Sequence, residues 1–330
     1  MSNPTILEFD YPEPLVPAET WSIMDSTKLK CYKGCPRRYF YQYVLGWRSA
    51  GPNIHLDFGS AIHLIFETIY NQPNWKGYPK EVITRGFAEF FKAYREVYPD
   101  PDLDQKNSPK NPDGAARLLE RYVQQFKDDD FEVLYSEVAG TVPIDDNHDM
   151  TYKIDLIFRD EMGIRGKDFK TSGADREMYQ RKFHHDTQML CYAHALHMLY
   201  PGEEVGMCID FLIPLKTKVT IRRRDIPITE EQLIHWLAET SWWLAEVDRD
   251  FELLSKSSVD DPYMLTFRRN DQNCTQFNQL CPFFDYCSLP SFGNPLRRCE
   301  RPQPGFEVNH WDPRAMVEEA KHMVIDGRIE

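Results

Sequence analysis

The chain has 330 residues, is 42% hydrophobic and 28% charged, and carries a formal net charge of −13. This is the composition of a globular chain rather than a disordered one, and no apolar run approaches the roughly 20 residues of a membrane span. The acidity excludes a uniformly basic nucleic-acid surface but leaves room for local basic runs.

Residues 1–25 read as a loose, proline-containing leader. It lacks a basic n-region followed by an apolar stretch, so it is not a signal peptide, and a cytoplasmic location is expected. Residues 26–47 predict a helix capped by Ser26 or Thr27, with Leu29, Tyr32, Tyr39, Phe40 and Tyr43 on its apolar face. The Cys35-Pro36 step fits two short helices as well. Lys28, Lys30, Lys33, Arg37 and Arg38 make this segment basic. Helical patterns follow over 57–71, 79–98 and 113–128, the last two separated by the loop PDPDLDQKNSPKNPDG.

The period then changes. Residues 131–144, 151–158 and 163–171 predict three successive antiparallel strands. A helix is expected over 186–200, strands over 205–215 and 218–228, and a long helix over 229–254 capped by Thr229. Beyond about residue 260 the chain is rich in Pro, Asn and Cys and nearly aperiodic. The order predicts an α+β fold: a leader (1–25), an N-terminal helical region carrying Cys35 and His63 (26–130), a core of sheet and helices (131–255), and an irregular Cys-rich C-terminal cap and tail (256–330).

The hairpin YKIDLIFRDEMGIRGKDFKTSG places Asp155 in one strand and Asp168 and Lys170 in the next. Residues two apart share a strand face, so Asp168 and Lys170 lie together. Two carboxylates on adjacent strands can hold a hard divalent cation, and a lysine beside them can orient water and stabilise phosphate charge. By spacing alone, a solvated strand face fits as well. Gly59 and His63 share one helical face, as do Gln188 and Tyr192. Each pair alone also reads as packing. Glu137, on the first strand, is a possible third acid or an ordinary outward one.

In this order, Gly59-x-x-x-His63, Asp155, Asp168-x-Lys170 and Gln188-x-x-x-Tyr192 resemble the motifs of RecB-type nucleases of the PD-(D/E)XK superfamily. LKCYKGCPRRYFYQYVLGW near the N-terminus and RRNDQNCTQFNQLCPFFDYC near the C-terminus resemble the segments that open and close many of them, so the likeness covers roughly residues 26–290. It implies a restriction-endonuclease-like core, a central mixed sheet flanked by helices. It implies that Asp155, Asp168, His63 and the Phe169 carbonyl ligate Mg2+ or Mn2+. Lys170 would position the water, and Gln188 and Tyr192 would support the site or touch DNA. Glu137 matches an acid found in some members only. Asp168 stands where many members have Glu.

The resemblance further implies an exonuclease acting on single-stranded DNA or duplex ends. Such a chain works alone or beside a helicase, a recombination complex or a CRISPR-adaptation partner. No Walker motif is present, so no motor is expected in the chain. Arg222–Arg224 and the basic N-terminal segment are candidate backbone contacts. A non-catalytic DNA-binding or metal-stapled interaction subunit on the same fold is the rival reading.

Eight cysteines in a reducing compartment favour metal or cluster ligation over disulfides. In the iron–sulfur branch of the family, one N-terminal and three C-terminal cysteines hold a [4Fe-4S] cluster. The matching residues are Cys35, Cys274, Cys281 and Cys287, with Cys31 competing for the first place. Zinc is the competing guest.

Overall fold

The structure, a computed structural model, describes residues 4–276, 279–288, 293–302, 304–325 and 327–329. Met1–Asn3 of the leader, and Phe277 and Asn278 of the cysteine-rich stretch, lie outside the described residues. The chain divides into two compact units. One comprises Met1–Gly51, Thr141–Tyr152 and Ile234–Glu318, the other Pro52–Gly140, Lys153–Leu233 and Glu319–Glu330.

A seven-stranded mixed sheet supplies the frame of the second unit. Its order is Arg328–Ile329, His322–Ile325, Glu132–Pro143, Asp149–Asp160, Gly163–Thr171, Val205–Pro214, Val219–Ile226. Asp149–Asp160 and Gly163–Thr171 form the expected antiparallel hairpin, with Leu156 opposite Lys167 and Asp160 opposite Gly163. Gly163 sits at φ +106 in the turn, and a Cβ there would meet the Glu204 carbonyl at 2.4 Å, so the turn requires glycine. Gly163–Thr171 runs parallel to Val205–Pro214. A parallel pair needs a crossover, and the helix Thr187–Leu199 lies within it.

The helices Ile54–Tyr70, Lys80–Val97 and Pro112–Phe126 pack onto this sheet. Phe58, Ile62, Ile65, Phe66, Phe90, Leu118 and Tyr122 join Leu156, Phe158, Phe169 and Leu212 in one core. The first helix begins earlier than the apolar pattern predicts, because the Asn53 side chain accepts the His55 and Leu56 amides. The loop expected after Lys80–Val97 contains the short helical turns Pro101–Leu103 and Asp104–Asn107. The tail returns as His322–Ile325, parallel to Glu132–Pro143 with His322 against Val138. So short a strand shows too little alternation to be read from sequence.

In the first unit, Asp25 rather than Ser26 or Thr27 caps the helix Ser26–Gly34, accepting the Lys28 amide at 2.7 Å. Cys35 is extended (φ −163, ψ 106) and ends that helix, and Pro36 starts Pro36–Tyr39, so the two-helix reading holds. Asp250 accepts the Tyr32 hydroxyl at 2.6 Å and the Phe267 amide at 3.0 Å. Those two bonds tie the helix Glu230–Ser255 to segments far away in sequence. The leader is anchored by Trp21, which is buried and donates to the Val44 carbonyl at 2.9 Å.

Candidate functional site

The sheet register brings the sequence-predicted side chains together within the second unit. Pairing of Leu156 with Lys167 sets Asp155 and Asp168 at neighbouring places on adjacent strands. Lys170 Nζ donates to Asp168 Oδ1 and to Gln188 Oε1, both at 2.9 Å. Gln188 Nε2 donates to the Tyr192 hydroxyl at 2.7 Å. His63 Nδ1 lies 3.2 Å from Asp155 Oδ2, and the Phe169 amide donates to the same oxygen at 2.9 Å. The Phe169 ring stacks on Phe66 at 4.2 Å, which fixes its backbone from the core side. Gly59 lets the His63 helix lie close to the strand end, since a Cβ there would come 3.3 Å from Thr171 Oγ1.

Glu137 is also present, buried and at φ +52, a left-handed conformation uncommon for a residue with a side chain. Its Oε2 lies 2.6 Å from Lys153 Nζ. Lys153 and Glu67 were not singled out from sequence, although the signals exist. Lys153 is two residues before Asp155 and Glu67 four after His63, so each shares a face with a site residue.

The charges explain one another. Burial works against a charged His63, but the Asp155 carboxylate outweighs it and raises His63 to about 9. Burial pushes the Asp155 carboxyl up, yet His63, Lys170 and the Phe169 amide bring it below its ordinary value. Asp168 is held above its ordinary value by burial, and the Asp155 charge adds to this against Lys170 and His63. Burial works against the Lys170 ammonium, and Asp168 and Asp155 more than compensate, so it is raised and stays cationic. Glu137 is raised to about 7 by burial and the Asp155 charge, with Lys153 opposing.

A divalent cation fits this donor set. Two buried carboxylates and an imidazole are hard and borderline ligands. Asp168 Oδ2 is buried and accepts no hydrogen bond, although the Lys170 ammonium lies 2.8 Å away as an ion pair. Among the described residues no three His, Cys, Asp or Glu side chains close on one point. Here His63 is turned onto Asp155 and Lys170 onto Asp168.

In the first unit, Cys35, Cys274, Cys281 and Cys287 line one open cavity of about 750 Å³, with Arg38, Arg269 and Asn270 in the same wall. The Asn270 amide donates to Cys35 Sγ at 3.4 Å. The Cys281 amide donates to the Cys274 carbonyl at 2.8 Å, and Arg269 holds the Cys287 carbonyl at 2.9 Å. Burial raises Cys287 to about 11, with Cys35 and Cys281 adding to it. The thiols of Cys274 and Cys287 each feel those of Cys35 and Cys281. Burial pushes Cys31, in the adjoining wall, to about 12. Cys191, Cys208 and Cys299 are buried, and none of the eight cysteines is in a disulfide.

The basic runs are less available than the sequence suggests. Lys28 is buried and donates to the Thr20 and Ile23 carbonyls, and Arg37 is buried against the Phe267 carbonyl at 2.9 Å. Arg223 is committed to Asp210 and Asp129. Arg222 and Arg224 stay exposed, held by Asp175 and Gln180. No helix among the described residues is long and apolar enough to cross a membrane.

Comparison with known proteins agrees with the geometry. The family model of the PD-(D/E)XK nuclease superfamily matches residues 26–288. No curated protein matches. Among solved structures, a Eubacterium rectale protein labelled as a candidate exonuclease is 15% identical, with a TM-score of 0.45 over 72% of this chain and 82% of that one. The structure of SSO0001 is also 15% identical, with a TM-score of 0.30 over 69% of this chain and 78% of that one. Likenesses at these scores add nothing to the assignment. The family match covers most of the chain, and the α+β architecture, a mixed sheet flanked by helices, is consistent with the restriction-endonuclease-like fold of that family. The chain belongs to the PD-(D/E)XK nuclease superfamily.

Proposed function

We propose that the chain is a metal-dependent deoxyribonuclease, an exonuclease that hydrolyses phosphodiester bonds in single strands or at duplex ends. The observation that carries this reading is the run Asp168–Lys170–Gln188–Tyr192, hydrogen-bonded end to end beside the Asp155–His63 pair. Asp155, Asp168, His63 and the Phe169 carbonyl would hold Mg2+ or Mn2+. When bound, such an ion neutralises phosphate charge and acidifies water. Lys170, fixed between Asp168 and Gln188, presents its ammonium to the attacking water and to the developing phosphorane charge. Gln188 and Tyr192 hold Lys170 in place, because the amide oxygen facing Lys170 is set by the hydrogen bond its nitrogen gives Tyr192.

The cysteine cavity supports a [4Fe-4S] cluster as a structural staple, held by Cys35, Cys274, Cys281 and Cys287. A helicase, recombination or CRISPR-adaptation complex in the cytoplasm is the setting such a nuclease fits. The rival, a non-catalytic DNA-binding subunit, is disfavoured by the complete acid–acid–lysine set.

The test is cleavage of end-labelled single- and double-stranded DNA, linear and circular, with Mg2+ or Mn2+, comparing the wild type with Asp168→Asn. Loss of mononucleotides from linear DNA alone is expected. Absence of metal-dependent cleavage on every form sinks the nuclease reading. Iron analysis and the visible absorbance of anaerobically purified protein decide the cluster, and a colourless zinc protein overturns it.

A further inference from the structure

The carboxylates of the second unit form a row wider than the metal pair. Glu67 follows His63 by one helical turn, Glu137 lies on Glu132–Pro143, Asp155 on the next strand and Asp168 on the one after. The acids outside the metal pair each have a lysine of their own. Lys153 Nζ lies 2.6 Å from Glu137 Oε2, and Lys321 Nζ lies 2.8 Å from Glu67 Oε1. The Lys153 side chain is mostly buried and feels Glu137, Asp155 and Glu67 together. Lys321 arrives at the start of the tail strand His322–Ile325, so the late addition to the sheet edge delivers a charge to the row. Asp155 and Asp168 face His63 and Lys170 instead.

Two-metal hydrolases place a second cation about 4 Å from the first, bridged by a shared carboxylate. Here Asp155 is the acid shared between the two halves of the row, and the half beyond it already holds an ammonium. A monovalent cation tethered to the backbone and buried beside Glu137 removes both the free carboxylate and the net negative charge that a second divalent ion needs.

We propose that Lys153 is a positioning residue that withdraws Glu137 from metal ligation and limits the site to one divalent ion, with Lys321 doing the same for Glu67. The inference rests on the metal-dependent reading above. It removes Glu137 from the ligand set and gives Lys153 a role that ordinary strand packing does not require.

The experiment is a Mn2+ titration followed by EPR, with the full chain and no DNA. Wild type takes a single Mn2+. Glu137→Gln leaves that Mn2+ bound within a few-fold of its wild-type affinity, whereas Asp155→Asn weakens it by about 100-fold or more. Lys153→Met and Lys153→Met/Lys321→Met expose Glu137 and Glu67, and the double variant takes a second Mn2+, detected by exchange broadening between the two ions. Unchanged far-ultraviolet circular dichroism identifies variants that have folded. Two Mn2+ in the wild type, or loss of the first ion in Glu137→Gln, overturns the proposal. So does a folded double variant that still takes only one. Failure of every form to bind Mn2+ sinks the metal reading itself, which separates the two.

Discussion

The acid–lysine site and the cysteine cavity solve opposite problems. In the first, each functional group already has a partner from the chain: His63 with Asp155, Lys170 with Asp168 and Gln188, Glu137 with Lys153. In the second, four thiols face a cavity and are held mainly through their backbones. The first is preorganised by sheet register. The second brings Cys35, Cys274, Cys281 and Cys287, far apart in sequence, onto one cavity. On the reading proposed above, a guest in the first would contribute chemistry and a guest in the second would contribute folding energy.

The largest expected effect breaks this division if it fails. Asp168→Asn, or Lys170→Ala, should lower cleavage by about 10³-fold or more, because the reacting charge loses a preorganised partner. The melting temperature of Asp168→Asn should scarcely fall, since burying a raised carboxyl costs more than burying an amide. A large drop in melting temperature would make this site a structural one.

The second test inverts the first. Cys281→Ser, or chelation of the guest under reducing conditions, should lower the melting temperature by roughly 5–10 °C, corresponding to about 2–3 kcal/mol. Cleavage by the remaining folded fraction at low temperature should change much less. Equal loss of activity and stability would mean that the cavity belongs to the chemistry.

The same contrast explains what the sequence reveals. Asp155, Asp168 and Lys170 are legible because strand alternation fixes which side chains share a face, and Gly59/His63 and Gln188/Tyr192 because a helical turn does the same. Lys153 obeys the same alternation, but its partner Glu137 sits at φ +52, where a strand pattern no longer tells which way a side chain goes. Arg222–Arg224 look like a basic patch in one dimension, yet Arg223 meets Asp129 and Asp210 only once the sheet and a helix end have come together. Lys28 and Arg37 are buried for the same reason: their acceptors are carbonyls, which no sequence pattern announces. Cys35, Cys274, Cys281 and Cys287 show no periodicity at all; the family resemblance alone groups them in sequence, and one cavity groups them in space.

The third expectation concerns pH and belongs to the preorganised site alone. Against burial, His63 is raised to about 9 by its Asp155 partner. Its contribution to stability is full below the unfolded value near 6.5 and is lost as pH rises through about 9. On the metal-dependent reading a metal competes with that proton, so Mn2+ affinity should tighten by up to about tenfold per pH unit as pH rises towards about 9, then level off. His63→Asn should flatten the dependence. A flat wild-type profile would show that His63 is not displaced from Asp155 by the ion.

The smallest effect is the most specific. Gly59→Ala places a methyl group 3.3 Å from Thr171 Oγ1. Alanine in a helix interior is favoured over glycine by about 1 kcal/mol, and Thr171 is only partly buried, so its hydroxyl can turn away. The two effects nearly cancel, and the melting temperature should move by no more than a few degrees. Activity should not cancel in the same way. The helix that yields to the contact carries His63 one turn further on, and displacements well under 1 Å at a reacting centre cost rate rather than stability. A several-fold loss of cleavage with unchanged melting is expected. Thr171→Ala in the same chain removes the opposing oxygen and should restore the rate, the non-additivity of two residues in contact. If the double variant is no faster than Gly59→Ala alone, the glycine is not there to bring His63 close to the strand.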